Sequence, residues 1–516
     1  MKYIFLASFL LLLGAGVVTT VTEPDLRSDV PVLYWVTDRN PARIAQVAGF
    51  HEWLVERGHV TEDGKPMLEL RLDTASRDPS KQIIQSIAGV AGDIMDCDVG
   101  QMHALGVLED VTDDAARLGF GVDQTYPALE PALTRNGRQY GFPCNVGILS
   151  MWSNPATFAA VGLEPPAREW SIEEFERLGK EYVRRANEPG ERQTHFFVSS
   201  MLSWSGPRFM ITLHRAKGLS IFNETLTAAT TDDPRYAWVL SKCRQWTYED
   251  NIMPTAAEAS SLAVESGYGS AEFPLFVEGR YAMIVTGRWA LIRMRDFAEP
   301  PEIKLSYYPV PPDGYGNDLI ATRAAAVYRG GKNKDLAVLF LAYLASESYN
   351  NQIVADADAL PPNPLFAESE AFDRPPDWPN EWDVHAPTHE AAQERAIAES
   401  ISPFIPRSTV ARLAGDALQE VMSDPQVATP EEAAATLQEE INHQIAMTVR
   451  ESATLRQRFD EAVELQKKID TYRAEGRPIP IEWIANPFHR RYYLDKGWAT
   501  RGEAAMGDAT EAGDES

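Results

Sequence analysis

Cysteine is scarce: the 516 residues include three, Cys97, Cys144 and Cys243. An odd number spread so widely offers no disulfide framework, and none lies where a lipid anchor would need it. We read all three as core or hinge thiols. Basic residues are also few, 48 Lys and Arg against 75 Asp and Glu, for a formal net charge of −27. Phosphate backbones and anionic lipid need clustered cations, so nucleic acid is excluded as a partner, and the acidity reads as a solvated surface. Catalytic signatures are missing. There is no His-Glu-x-x-His, no Gly-x-Ser-x-Gly, no phosphate-binding glycine loop ending in Gly-Lys, and no zinc-spaced set of Cys and His. Beyond Val21 no stretch holds 18 uninterrupted apolar residues, so no later segment is expected to span a bilayer.

What is present is material for large cores. Hydrophobic residues make up 44% of the chain and aromatics 10%, with 12 Trp, which excludes global disorder and leaves aromatic surface for flat apolar ligand faces. The length exceeds what one hydrophobic core usually serves, so two lobes with appendages are expected. At the N-terminus, Lys2 precedes an uncharged apolar stretch over residues 3–21 that contains Gly14, Ala15 and Gly16. That is the charge order of a secretory signal. The stretch is also long enough to span a membrane and has no Ala-x-Ala site, so residues 1–28 are either a signal peptide or an uncleaved anchor. Both place the rest outside the cytoplasm, and membrane contact is expected only through this segment.

Strands and helices alternate after that. Residues 31–36 form an apolar run, and Ile44, Val47, Ala48 and Leu54 fall near one helical face. Residues 67–72 alternate as a strand, 81–90 read as a helix, and 92–96 as another buried strand. Repeated βα units imply an α/β lobe with a mainly parallel sheet, whose ligands bind beyond the carboxyl ends of the strands. That directs attention to Asp38, after the first strand, and to Asp98 and Gln101, after the third. A second block begins near Arg138, with a buried strand over 146–152 and Asn154-Pro155 starting a helix. Ser171 and Glu174 form a capping box for a helix reaching residue 186.

Five motifs in one order resemble the extracellular solute-binding proteins of carbohydrate-uptake ABC systems, the group containing the maltose-binding protein, over about residues 32–449. They are Gly92-Asp93-Ile94 with Gly106-Val107-Leu108-Glu109-Asp110-Val111; residues 137–154 followed by Phe158, Gly162-Leu163 and Trp170; Phe276-Val277-Glu278-Gly279-Arg280-Tyr281-Ala282-Met283 leading to Gly287-Arg288-Trp289; the run from Asn333 to Leu341; and Thr429-Pro430-Glu431-Glu432-Ala433. The resemblance implies a type II periplasmic-binding-protein-like α/β fold with two discontinuous lobes. Lobe 1 is expected over 30–140 plus 318–361 and lobe 2 over 154–309 plus 365–449. Hinge crossings are expected at 141–153 and 310–317, and a helical extension with a disordered acidic tail over 450–516. It also implies a periplasmic or otherwise extracytoplasmic monomer that closes around a sugar and delivers it to an ABC permease, without enzymatic activity, cofactor or metal.

A sugar site needs aromatic platforms for C–H faces and fixed polar groups for hydroxyls. The family pattern places Trp289 in the site, whereas Trp204, in Trp204-Ser205-Gly206-Pro207, and Trp35, at the end of the first strand, are placed by position. The alternative for each tryptophan is a core ring. Asp38, Asp98 and Gln101 are expected to bond hydroxyls from the first lobe, with Asn145 and Arg323 near the crossings; capping or surface roles are the alternative. Asp96 and Asp98 together imitate a glycosidase pair, although one binding carboxylate on a loop is the simpler account. Residues 362–403 are a Pro- and Trp-rich insertion without an assigned place. Leu455, Phe459, Ala462, Gln466 and Ile469 imply that the last helix continues past 449. An anchored receptor that signals, or that docks partners through its C-terminal helix and residues 479–493, remains the competing class.

Overall fold

The computed structural model describes residues 28–262, 271–423 and 428–501; the apolar N-terminal stretch and the acidic tail lie outside them. Two sheets organise the chain. In order along the sequence their strands are β1 (Val32–Val36), β2 (Glu69–Asp73), β3 (Ile94–Cys97), β4 (Gly141–Ile148), β5 (Ser150–Ser153), β6 (Phe196–Val198), β7 (Tyr281–Thr286), β8 (Lys304–Ser306), β9 (Asp318–Val327) and β10 (Ala396–Ala398). The first sheet runs β10-β9-β3-β1-β2, with β4 paired to β9, and the second runs β8-β5-β7-β6. β1 lies parallel to both β2 and β3, β9 runs antiparallel to β3 and β4, and β6 lies parallel to β7. β7 is buried throughout and apolar up to its last residue, Thr286, as suits a strand covered on both faces. Two α/β units with interrupted sequence make up the two-lobed fold.

Each sheet carries its own core. Trp35, Phe50, Phe340 and Tyr343 pack beside the first sheet, and Phe158, Phe175, Phe197, Phe209 and Trp246 beside the second. A third cluster joins them, with Ile148, Trp152, Ile284 and Ile320 among its members. The capping box of Ser171 and Glu174 forms as expected, opening the helix Ile172–Ala186. Thr429 and Glu432 do the same for Pro430–Glu451.

Several elements depart from expectation. The helix Ala42–Glu56 buries Arg43 and Gln46 with Phe50, Trp53 and Leu54, while Ile44 is 71% exposed. The apolar spacing misassigned its inward face because two polar side chains have buried partners. Between β4 and β5 only Leu149 separates the first sheet from the second. The insertion packs rather than hangs free: Ile303 N–H donates to Asn380 O, and Arg295 pairs with buried Glu381. Its end, β10, extends the first sheet through Leu319↔Ile397.

The final helix does not run on as one element: it stops at Glu451. Ser452 takes extended backbone angles and caps a separate helix, Ala453–Ala474, by accepting from Leu455 N–H. Leu455, Phe459 and Ala462 pack against the core beside the second sheet, so this extension lies on its own chain. Ile469, Ile479, Ile484, Tyr493 and Ala499 then form a satellite core. Buried Glu224 latches it, accepting hydrogen bonds from Gln466 Nε2 at 2.8 Å, from Tyr493 and from Arg473. Residues 479–493, weighed as a partner-docking surface, are largely taken up in these contacts. Replacing Glu224 by Ala should release the module at a cost of about 1–3 kcal/mol, since buried donors lose a charged acceptor. Hydrogen exchange should then speed up over residues 479–500 while amides of β7 keep their protection.

Candidate functional site

At the carboxyl ends of β1 and β3, three carboxylates and two guanidiniums form one ionic cluster. Arg43 pairs with Asp38 at 2.8 Å and with Asp358. Arg323, on β9, donates to Asp96 at 2.8 Å and stands 3.7 Å from both Asp38 and Asp358. Register places Arg323 opposite Asn145 on β4, where the pairing shifts by a bulge. Asn145 Nδ2 donates to Asp358 at 3.0 Å. Burial opposes ionisation of Asp38, yet the charges of Arg323 and Arg43 outweigh it and hold its pKa well below the usual carboxylate range. Asp358 follows the same logic, burial opposing and Arg43 and Arg323 prevailing. Burial drives the pKa values of both Cys144 and Cys97 upward, so neither is a thiolate at neutral pH.

The polar residues picked from sequence therefore divide. Asp38, Asn145 and Arg323 come together in this hub. Asp98 caps the helix Val99–Ala104 by accepting from Gln101 N–H at 3.0 Å, which brings Asp98 and Gln101 together at the carboxyl edge of the first sheet, just beyond its central strand β3. Trp35 has no exposed face: it is 0% accessible, packs on Phe340 at 4.7 Å and donates its ring N–H to Asp96 at 2.7 Å. It is a core residue, because its strand is covered on the side it faces. Asp96 also accepts from Thr37 and Cys144, so its oxygens are committed. Asp98 caps a helix through Oδ1, so both members of the supposed acid pair already have structural partners.

The second sheet supplies the aromatic surface. Trp204 follows β6 and Trp289 follows β7, beyond the carboxyl ends of two parallel neighbours. Their rings meet edge to face at 5.5 Å, and Phe273 lies 5.7 Å from Trp289. Both tryptophans are half-buried. Two glycines make these turns possible. A Cβ at Gly206 would stand 1.8 Å from Met201 O, and one at Gly287 would stand 2.6 Å from Ile148 O and 3.1 Å from Trp289 Nε1. Trp204 Nε1 is buried and has no hydrogen-bond partner among the described residues.

Arg288 connects the aromatic pair to the ionic hub. Fully buried beside Trp289, it donates to Val354 O at 2.8 Å, to Ile353 O at 3.2 Å and to Ala359 O, the neighbour of Asp358. Its Nε donates to His385 Nδ1 at 3.0 Å, which leaves the proton of neutral His385 on Nε2, 3.3 Å from Glu381. Burial lowers the pKa of Arg288 to about 9 and that of His385 to about 4. Asp358, Arg43 and Arg288 escaped sequence reasoning. Arg288 stood inside a recognised motif, while nothing local to Asp358 marks it, since its partners lie some 200 to 300 positions away in sequence.

Two sheets with facing carboxyl-end loops, bridged by crossings and bearing an aromatic pair opposite a polar edge, define a two-lobed ligand-binding protein. Residues 69–351 match the family described as bacterial extracellular solute-binding protein, and the chain belongs to that family. No curated protein sequence matches the chain. Among solved structures it is similar to an ABC substrate-binding protein of Listeria monocytogenes in complex with cycloalternan, at 18% identity and a TM-score of 0.65 over 81% of this chain and 100% of that one. A maltose/maltodextrin-binding domain of Bdellovibrio bacteriovorus bound to maltotriose shares 16% identity, TM-score 0.62, over 81% and 100%. The acarbose-binding GacH receptor of Streptomyces glaucescens shares 18%, TM-score 0.63, over 81% and 99%.

The hub makes its own prediction. Asp358→Ala removes one carboxylate from between two guanidiniums and should cost about 3–5 kcal/mol of stability, the usual penalty for breaking a buried pair. The urea midpoint should fall accordingly.

Proposed function

We propose that the chain is the extracytoplasmic substrate-binding component of an ABC importer, taking a sugar or oligosaccharide between its lobes by hinge closure. The observation that carries this reading is the Trp204–Trp289 pair, held beyond the carboxyl ends of β6 and β7. Indole faces suit the C–H surfaces of sugar rings, and Asp98 and Gln101 stand on the other sheet to meet hydroxyls. Family membership and the saccharides named with the similar structures support the same choice. The lobe division follows the sheets, with crossings at Leu149 and over residues 307–317. On this reading the protein is monomeric, acts by binding rather than catalysis, and hands its ligand to permease subunits. Residues 1–28 export it or tether it.

Closure has a direct readout, because hinge motion around a ligand is the usual response of this architecture. Isothermal calorimetry against a saccharide panel should find a ligand, and small-angle scattering should then show a smaller radius of gyration with it than without. An unchanged radius at saturation counts against closure.

Trp289 tests the site itself. Trp289→Ala should weaken that ligand by about 1–3 kcal/mol, the range for losing a central aromatic anchor, while unfolding stays cooperative. A core role would instead cost about 3–5 kcal/mol of stability at unchanged affinity.

A further inference from the structure

The wall beside Trp204 carries a guanidinium with no carboxylate in direct contact among the described residues. Arg208, in the first turn of the helix Gly206–Ala216, holds its guanidinium 5.1 Å from the Trp204 ring centre and donates to Trp204 O at 2.6 Å. Among the described residues no carboxylate pairs with it. Arg407 stands close enough to add like charge, and burial with that repulsion outweighs the attraction of Glu399 and holds the pKa of Arg208 below the ordinary arginine value. Arg407 is itself committed to Glu399, and it also feels Asp98 of the first sheet's edge. On that same edge Arg135 lies over Gly100, where a Cβ would come within 2.1 Å of its Nη2; its own hydrogen bonds go to Thr134 O and Pro131 O. Three guanidiniums thus gather around two carboxylates in a chain whose net charge is −27. The two carboxylates are already engaged, Glu399 by Arg407 and Asp98 by the helix it caps.

A partly desolvated guanidinium next to another arginine is costly unless an anion meets it. A neutral sugar offers hydroxyl acceptors and leaves Arg208 without a carboxylate of its own, since Glu399 is taken by Arg407. A carboxylate accepts from both guanidiniums and matches the planar fork of Arg. The N–H of Trp204, beside Arg208, is a further donor without an acceptor among the described residues.

We propose that the ligand is an acidic saccharide, a uronide whose carboxylate meets Arg208 while its ring or the next one lies against the Trp204–Trp289 pair. This rests on the saccharide-binding reading above and names its substrate class. The test is calorimetry of the full protein against dimers to tetramers of galacturonate, glucuronate and mannuronate, each beside its own methyl ester, with neutral malto-oligosaccharides as a third arm. At least one free acid should bind about tenfold or more tightly than its ester, the difference made by one charge-assisted contact. Arg208→Gln should bring that ratio to within about threefold, and Arg208→Lys should restore part of it. Should Arg208→Gln fail to unfold cooperatively in a thermal melt, Arg407→Gln carries the same comparison. Esters or neutral sugars binding as well as the acids would overturn the acidic class and leave the saccharide reading standing. Binding by none of the three arms would overturn both. A ratio that survives both substitutions would remove the arginines from recognition.

Discussion

The ionic hub is the constraint on which the architecture turns. Arg43, Arg323, Asp38, Asp96 and Asp358 come from β3, β9, the loop after β1, the helix that follows and the turn after Glu347–Asp356. Desolvating five charges is expensive, and only mutual pairing with added hydrogen bonds makes the arrangement tolerable. Those bonds are present: Trp35, Thr37 and Cys144 complete Asp96, and Asn145 and Asn40 complete Asp358. Because each partner belongs to a different stretch of chain, a shift of any one strand would strand a charge. The hub therefore specifies the register of β1, β3, β4 and β9 more sharply than apolar packing among Val, Ile and Ala side chains could.

Arg288 carries that constraint into the second sheet. It satisfies carbonyls of residues 353, 354 and 359 and engages His385 of the insertion, while its covalent neighbour is Trp289. The aromatic surface is thus set by the same turn that presents Asp358. Glu381, bridging His385 and Arg295, fixes the insertion against the loop after β7. A stretch rich in Pro and Trp acts as a brace for the aromatic wall, which accounts for its buried acid and neutral imidazole.

Local signals in the sequence were reliable where the chemistry is local. The capping boxes at Ser171 and Thr429 need residues three apart, and the structure has both. The strand at Val32–Val36 and the turn Gly287-Arg288-Trp289 are likewise written in contiguous residues. Long-range chemistry was hidden. The helix Ala42–Glu56 turns Arg43 and Gln46 inward because Asp358 waits there, 315 positions beyond Arg43, so apolar periodicity pointed to exposed Ile44 instead. Trp35 stood at a strand end, where ligands gather, and only the packing of Phe340 shows that its face is covered. Ser452 breaks a pattern whose apolar spacing runs on through it, since the residues on both sides pack on the same core.

The crossings differ in how they are held, and this bears on how the sheets can move relative to each other. At Leu149 the chain passes between sheets in one residue, so two backbone dihedrals and their neighbours carry any rotation there. The other crossing is clasped by the C-terminal module. Tyr315 bonds Asp495 at 2.6 Å and packs edge-on against Tyr492 at 5.0 Å, while Arg491 donates to Glu394 O beside β10. Buried Arg215 reaches Ala398 O at 2.7 Å and lies 5.5 Å over Phe488. The module therefore grips the helix Gly206–Ala216, the crossing and the end of the first sheet's outer strand at once. Rotation that opens a gap between β10 and that helix must break these contacts, whereas rotation about Leu149 that leaves them packed does not.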